Sequence, residues 1–310
     1  MVAAVLCLAA GCAGAGDRVP QAVAQAAPTP TATPAPAPAP TATVVPAAGA
    51  LPATRRSPVT TRVTRSATPS PSRSPAGHPT SQPPVTDAAP PSGLVVVLDP
   101  GHNGGNADHP DIINRPVDAG LGQTKACNTV GAETDSGYPE HAFNFDVALR
   151  TKQLLVTHGL TVLLTRTDDT GIGPCVDARA KFGNSHNAAA VVSIHADGAP
   201  AAGTGFHVIE AAGAPGGATV ATRTRRLALS VREAMLTESG FGYATYIAGG
   251  GGLDHRSDLG GLNLSTRPSI LVECGNMRNA ADAARITSPA GRQRIAQALT
   301  DGILKALTTG

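Results

Sequence analysis

Beyond Gly93 the apolar residues follow two rhythms. Short continuous runs occupy positions 94–98, 161–165, 190–195, 204–209 and 269–273, several rich in β-branched side chains. The first is broken at once by Asp99-Pro100-Gly101. Runs of this length, closed by turn residues, read as buried strands. Helical patterns lie between them, so the expected domain is α/β, with a sheet flanked by helices.

Pro139-Glu140 opens the clearest helix, since Pro suits the first helical position and Glu suits the positive first turn. Phe143, Val147, Leu154 and Leu155 give this helix an apolar face, and Gly159 stops it. A second helix opens at Ser288-Pro289, where Ile295, Leu299, Ile303 and Leu307 then recur every fourth residue. No internal repeat and no second domain is evident. One folded domain is expected over residues 93–310.

The chain before Gly93 has a different texture. Residues 2–10 form an apolar run followed by Gly11 and Cys12, then Asp17 and Arg18. Spanning a bilayer takes ~20 apolar residues, so residues 1–18 read as the end of an export signal. Its basic leading segment is missing, and the true start is expected a few residues upstream. Leu8-Ala9-Ala10-Gly11-Cys12 resembles a lipobox, which would place a lipid anchor on Cys12. The alternative is an ordinary cleaved signal with a chance cysteine. Residues 19–92 are Ala, Pro, Thr and Ser with hardly any large apolar side chain, a composition that cannot offset chain entropy and reads as a disordered linker.

Charge removes one class of function. Residues 1–93 hold six arginines and two aspartates of the 24 basic and 22 acidic side chains, leaving 18 against 20 beyond. The folded part is near neutral and lacks a nucleic-acid footprint.

The chemistry collects at strand ends. His102 follows the first run and His195 ends the third, where open α/β sheets gather their ligands. Glu273 ends the last run, and Glu140 starts a helix. Zinc hydrolases commonly hold the metal with two His and one Glu, leaving a position for water. His102, Glu140 and His195 form that set, and Glu273 is the candidate base that would take a proton from zinc-activated water. The local His-Glu-x-x-His motif is absent. A hydrogen-bonded histidine and a solvated carboxylate are the bland alternatives.

The segments Leu98-Asp99-Pro100-Gly101-His102, Gly137-Tyr138-Pro139-Glu140, Ser193-Ile194-His195-Ala196-Asp197 and Leu271-Val272-Glu273 resemble the motifs of the zinc-dependent N-acetylmuramoyl-L-alanine amidases. The likeness continues through Gly173-Pro174-Cys175-Val176-Asp177, Gly205-Phe206-His207-Val208, Arg256-Ser257-Asp258-Leu259 and Gly261-Leu262-Asn263-Leu264, covering essentially residues 94–308. It is strongest to the compact single-domain enzymes of mycobacteria. This resemblance implies a mixed, mostly parallel sheet related to that of zinc carboxypeptidases. It also implies one zinc ion on His102, Glu140 and His195, with Glu273 as catalytic glutamate. The implied reaction releases the L-alanine of the peptidoglycan stem from muramic acid, in the cell envelope or outside it, by a monomer. One departure stands out: Glu273-Cys274-Gly275-Asn276-Met277 lacks the aromatic residue that often follows in the family, which bears on the cleft wall.

Other residues admit competing readings. His141 adjoins Glu140, but helical neighbours face about 100° apart, so Glu140 is preferred. His207 lies in a strand and reads as a satisfied structural histidine. His255 and Asp258 read as solvated loop residues, while Leu262 and Asn263 are weaker candidates for substrate contact. Cys127 and Cys175 are expected to form a disulfide, as in the related enzymes, against the alternative of two buried thiols. Cys274 should point away from Glu273 and into the core. The long segment 103–138 should border the cleft and gate it, the alternative being an excursion pinned by Cys127. Two rival functions are carried: a zinc carboxypeptidase on stem peptides, needing Arg179, Arg256 or Arg267 for a terminal carboxylate, and a non-catalytic peptidoglycan-binding protein.

Overall fold

The computed structural model describes residues 93–308 apart from Ala248, so the export signal, the lipobox at Cys12 and the linker lie outside the described residues. In chain order the elements are β1 (Val95–Pro100), a 3-10 turn (Gly104–Asp108), α1 (Pro110–Ile113), β2 (Pro116–Asp118), β3 (Thr124–Ala126), α2 (Glu140–Thr157), β4 (Thr161–Leu164) and α3 (Val176–Ser185). There follow β5 (Ala190–Asp197), β6 (His207–Ala211), α4 (Ala218–Glu238), β7 (Leu253–Arg256), α5 (Gly260–Asn263), β8 (Ser269–Asn276), α6 (Ala280–Thr287) and α7 (Pro289–Thr308).

Six strands form one sheet in the order β4-β1-β5-β8-β6-β7, and β2 pairs with β3 in a separate hairpin. Neighbours from β4 to β8 run parallel, as do β6 and β7, while β6 is antiparallel to β8. The mixed, mostly parallel sheet agrees with expectation. Its central strands read as continuous apolar runs because helices cover both faces.

Alternation along the strands sorts side chains between those faces. Val96, Leu98, Val192, Ile194, Ile270 and Val272 point into the main core, with Phe143 and Val147 of α2, Leu227 and Val231 of α4, and Ile295, Leu299 and Ile303 of α7. Cys274 is fully buried on this side, away from Glu273 as expected. The opposite face holds two small clusters, one around Val97 and Val191 and one around Ile209, Leu262 and Leu271.

The two anticipated helices form, with one shift. Ser288 Oγ accepts from the Gly291 N–H at 2.9 Å and caps α7. Pro139 stands one place outside α2 in extended geometry, and Glu140 takes the first helical position. Gly159, at φ 77°, follows the C-terminus of α2 as a left-handed stop. The run placed at 204–209 becomes a strand only from His207, because Gly205 adopts φ 99°, which no extended strand accommodates. His255 lies on the edge strand β7 and not in a loop; the charged sequence Leu253–Arg256 hid it.

Candidate metal centre and active site

The end of β1 is gripped by two buried guanidinium groups. Arg179 donates to the carbonyls of Pro100 (2.8 Å) and His102 (3.0 Å) and pairs with Asp99 at 2.6 Å. Arg166 donates to the carbonyls of Pro100 (3.0 Å) and Gly101 (3.2 Å). Burial pushes the Arg166 group down to about 10, still fully charged at neutral pH. Burial opposes the Asp99 charge, yet Arg179, Thr165 and Ser193 together hold its carboxyl below the usual range. This scaffold fixes His102 at φ 58°, a left-handed conformation that costs a non-glycine residue about 1–3 kcal/mol.

His102 and His195 then meet Glu140. Glu140 Oε1 lies 3.1 Å from His102 Nε2 and 2.9 Å from His195 Nδ1, and the two imidazoles stand edge to face at 4.9 Å. One ligand atom from each of the three residues falls within 4.8 Å of the others, the sole such His, Cys, Asp or Glu group among the described residues. The other oxygen, Oε2, accepts from the Ala132 N–H at 2.8 Å, and Asn144 donates to Oε1 at 3.3 Å. His102 Nδ1 donates to the Thr129 carbonyl at 2.9 Å, which leaves Nε2 as the free nitrogen. Burial works against both charges here, but each partner more than offsets it, so His102 is raised and Glu140 lies well below the usual carboxylate range.

Two glycines keep this corner open. A Cβ on Gly101 would come within 2.1 Å of the His195 ring, and one on Gly131 would lie 2.8 Å from the His102 ring and 2.9 Å from Glu140 Oε2. The donor set therefore fits a zinc ion, with two imidazoles, one carboxylate and supporting hydrogen bonds behind them.

Glu273 lies beside the trio, in register with His195 across β5 and β8. Its Oε2 is buried and has no hydrogen-bond partner among the described residues. Burial, followed by the Glu140 and Asp197 charges, pushes its carboxyl well above the ordinary value. All four residues open on one cleft of about 720 Å³, whose walls include Lys125 and Thr129 on the hairpin side and Val176, Leu262 and Leu271 opposite.

The segment 103–138 does border this cleft, and it is folded: it carries a 3-10 turn, α1 and the β2–β3 hairpin. Cys127 is bonded to Cys175, as expected, and Lys125 reaches Asp258 at 3.3 Å. Leu262 is on the cleft wall, while the Asn263 amide donates to the carbonyls of Ala119 and Ser257, both at 2.9 Å. His141 faces away to Asp169 at 2.8 Å. The three arginines considered for a terminal carboxylate are engaged: Arg179 with Asp99, Arg256 with Asp258, and Arg267 with the Ala188 and Asn187 carbonyls. His207 departs from expectation, because it is buried with Nδ1 unpartnered.

Missed in the sequence was the role of Asp99, Arg166 and Arg179 in holding the His102 loop. Asp99 carried a signal, standing in the Asp-Pro-Gly break at a strand end. The arginines are 60 or more positions away and carried none.

Comparison with known proteins shows the family. Residues 96–305 match the family model Amidase_3, N-acetylmuramoyl-L-alanine amidase. N-acetylmuramoyl-L-alanine amidase Rv3717 of Mycobacterium tuberculosis is 47% identical over 218 residues, covering 70% of this chain and 88% of the relative. The crystal structure of the N-acetylmuramyl-L-alanine amidase Ami1 of Mycobacterium smegmatis is 46% identical with TM-score 0.67, covering 71% of this chain and 99% of that one. The apo form of Ami1 of Mycobacterium abscessus is 50% identical with TM-score 0.66, covering 70% and 99%. The chain belongs to the N-acetylmuramoyl-L-alanine amidase family Amidase_3.

Proposed function

We propose that this protein is a zinc-dependent peptidoglycan hydrolase that cleaves the amide between the lactyl group of N-acetylmuramic acid and the L-alanine of the stem peptide. The observation that carries the reading is the convergence of His102, Glu140 and His195 beside the unpartnered Glu273 carboxyl. His102, Glu140 and His195 would hold the metal. Zinc, when bound, polarises the scissile carbonyl and acidifies a water molecule.

Glu273 acts on the proton. Its high proton affinity suits it to take the proton of the attacking water and return it to the leaving nitrogen, a single group serving as base and then acid. The Asn144 amide and the Ala132 N–H hold Glu140 in place, so the ligand carboxylate does not compete for that proton. Leu262 and the hairpin around Lys125 line the same cleft and would touch the glycan or stem. Export signalled by residues 1–18 would deliver the protein to the cell envelope, where a lipid on Cys12 would anchor it, and we read it as a monomer.

The test is mass spectrometry of muropeptides digested by the purified protein with zinc, with chelator, and as the Glu273→Ala variant. Free stem peptides beginning at L-alanine are expected with zinc alone. Loss of a terminal D-alanine would favour a carboxypeptidase, and intact muropeptides from the zinc-loaded protein would favour a binding protein.

A further inference from the structure

His207 is a buried group next to the active site that the reaction as described leaves unused. It is 1% exposed, yet its Nδ1 has no hydrogen-bond partner among the described residues. Leaving such an atom unpaired in the interior is costly, so its position calls for a partner. Glu273 Oε2 is a second buried atom in the same condition.

The two residues are register partners. His207 faces Glu273 across the antiparallel β6–β8 pair, as His195 faces Glu273 across β5–β8. Register partners project to the same side of a sheet with Cβ atoms about 5 Å apart. A row therefore crosses three adjacent strands: His195, Glu273, His207. Tyr246 stands edge to face with the His207 ring at 5.9 Å, and its hydroxyl is engaged by the Gly205 carbonyl and the Asp197 carboxylate, so it does not satisfy Nδ1. Burial pushes the His207 imidazole down and keeps it neutral, with one N–H to give.

We propose that His207 is a positioning residue for the catalytic carboxylate: the two atoms are not bonded to each other in this structure, and a side-chain rotation that brings the Nδ1–H onto Oε2 of Glu273 leaves Oε1 to exchange the proton with water and leaving nitrogen. His207 neither gains nor loses a proton in turnover. The inference rests on Glu273 as the base.

The test compares His207→Asn, His207→Gln and His207→Phe on a muropeptide substrate, with kcat, KM, bound zinc and melting midpoint measured for each. Asn places an amide nitrogen near the position of Nδ1, Gln near Nε2, and Phe keeps the ring without a donor. Phe and Gln should lower kcat about 10–100-fold, as losses of outer supporting hydrogen bonds do, with KM and zinc content held. Asn should restore most of the rate. The acid limb of the kcat profile should move to higher pH in Phe, since the carboxylate loses a donor while Glu140, Asp197 and Arg256 still act on it.

A Phe variant with the parent's rate and acid limb would overturn the proposal, as would equal losses in all three. If Phe fails to fold, an active Asn beside an impaired Gln supports it and equal rates overturn it. Glu273→Gln, run in parallel, separates the two assignments. Activity in that variant removes the base itself, whereas an inactive Glu273→Gln beside a fully active His207→Phe removes only the role of His207.

Discussion

The two faces of the sheet are built differently. One is sealed by α2, α4 and α7 into a single continuous core; the other is covered by α3 and α5 over two small clusters with the cleft between them. Strand alternation sends Ile194, Val272 and Cys274 to the first face and His195 and Glu273 to the second. The sealed face thus supplies rigidity, and the divided face spends its burial on polar groups that apolar packing would otherwise exclude. That division makes separable predictions: substitutions on one side should cost stability, and on the other activity.

The largest separation is expected at Glu273. Glu273→Gln should lower kcat by about 10²–10⁴-fold with an unchanged or higher melting temperature, because a neutral amide relieves the repulsion from Glu140 and Asp197. Kinetics beside calorimetry checks this, and a retained rate would break the comparison. On the sealed face, Leu299→Ala should destabilise by about 2–5 kcal/mol in denaturant titration while the folded fraction keeps its kcat, since Leu299 is fully buried.

Next comes the covalent tie between Cys127, after β3, and Cys175, before α3. The double substitution of Cys127 and Cys175 by serine should cost about 2–4 kcal/mol and raise KM, because the hairpin forms a cleft wall. Leu262→Ala should cost less, about 1–2 kcal/mol, for a side chain whose cluster borders open space. Its larger signature should again be KM.

The smallest effect belongs to the sealed side. Glu238, at the end of α4, shares a hydrogen bond with Asp301 of α7, and burial followed by that carboxylate pushes it up to about 7. A raised carboxyl binds more protons folded than unfolded, so stability falls as pH rises from the ordinary carboxylate range to about 7. Glu238→Gln should therefore be stabilising at pH 8 and near neutral at pH 5, by less than about 1 kcal/mol for a partly exposed pair. Melting curves at the two pH values measure it.

This contrast explains what could be read from sequence. The sealed face writes itself in apolar periodicity, so the runs ending at His102, His195 and Glu273 and the fourfold repeat of α7 were all visible. The four candidate site residues were visible too, because strand ends and a helix start expose them. Features set by polar, long-range contacts were not. The β2–β3 hairpin hides in a Gly- and Asn-rich stretch, β7 is half charged, and the Arg166 and Arg179 grip on the His102 loop joins residues distant in the chain. His207 looked like any strand histidine, since only the register with Glu273 gives it meaning.

The proposed reaction stands on a metal held by His102, Glu140 and His195. Anomalous diffraction at the zinc edge, from crystals of the active protein, tests it most directly. One peak per chain within bonding distance of these three side chains is the predicted result. A peak at another group, such as His141 with Asp169, or an active protein with no peak, would contradict it.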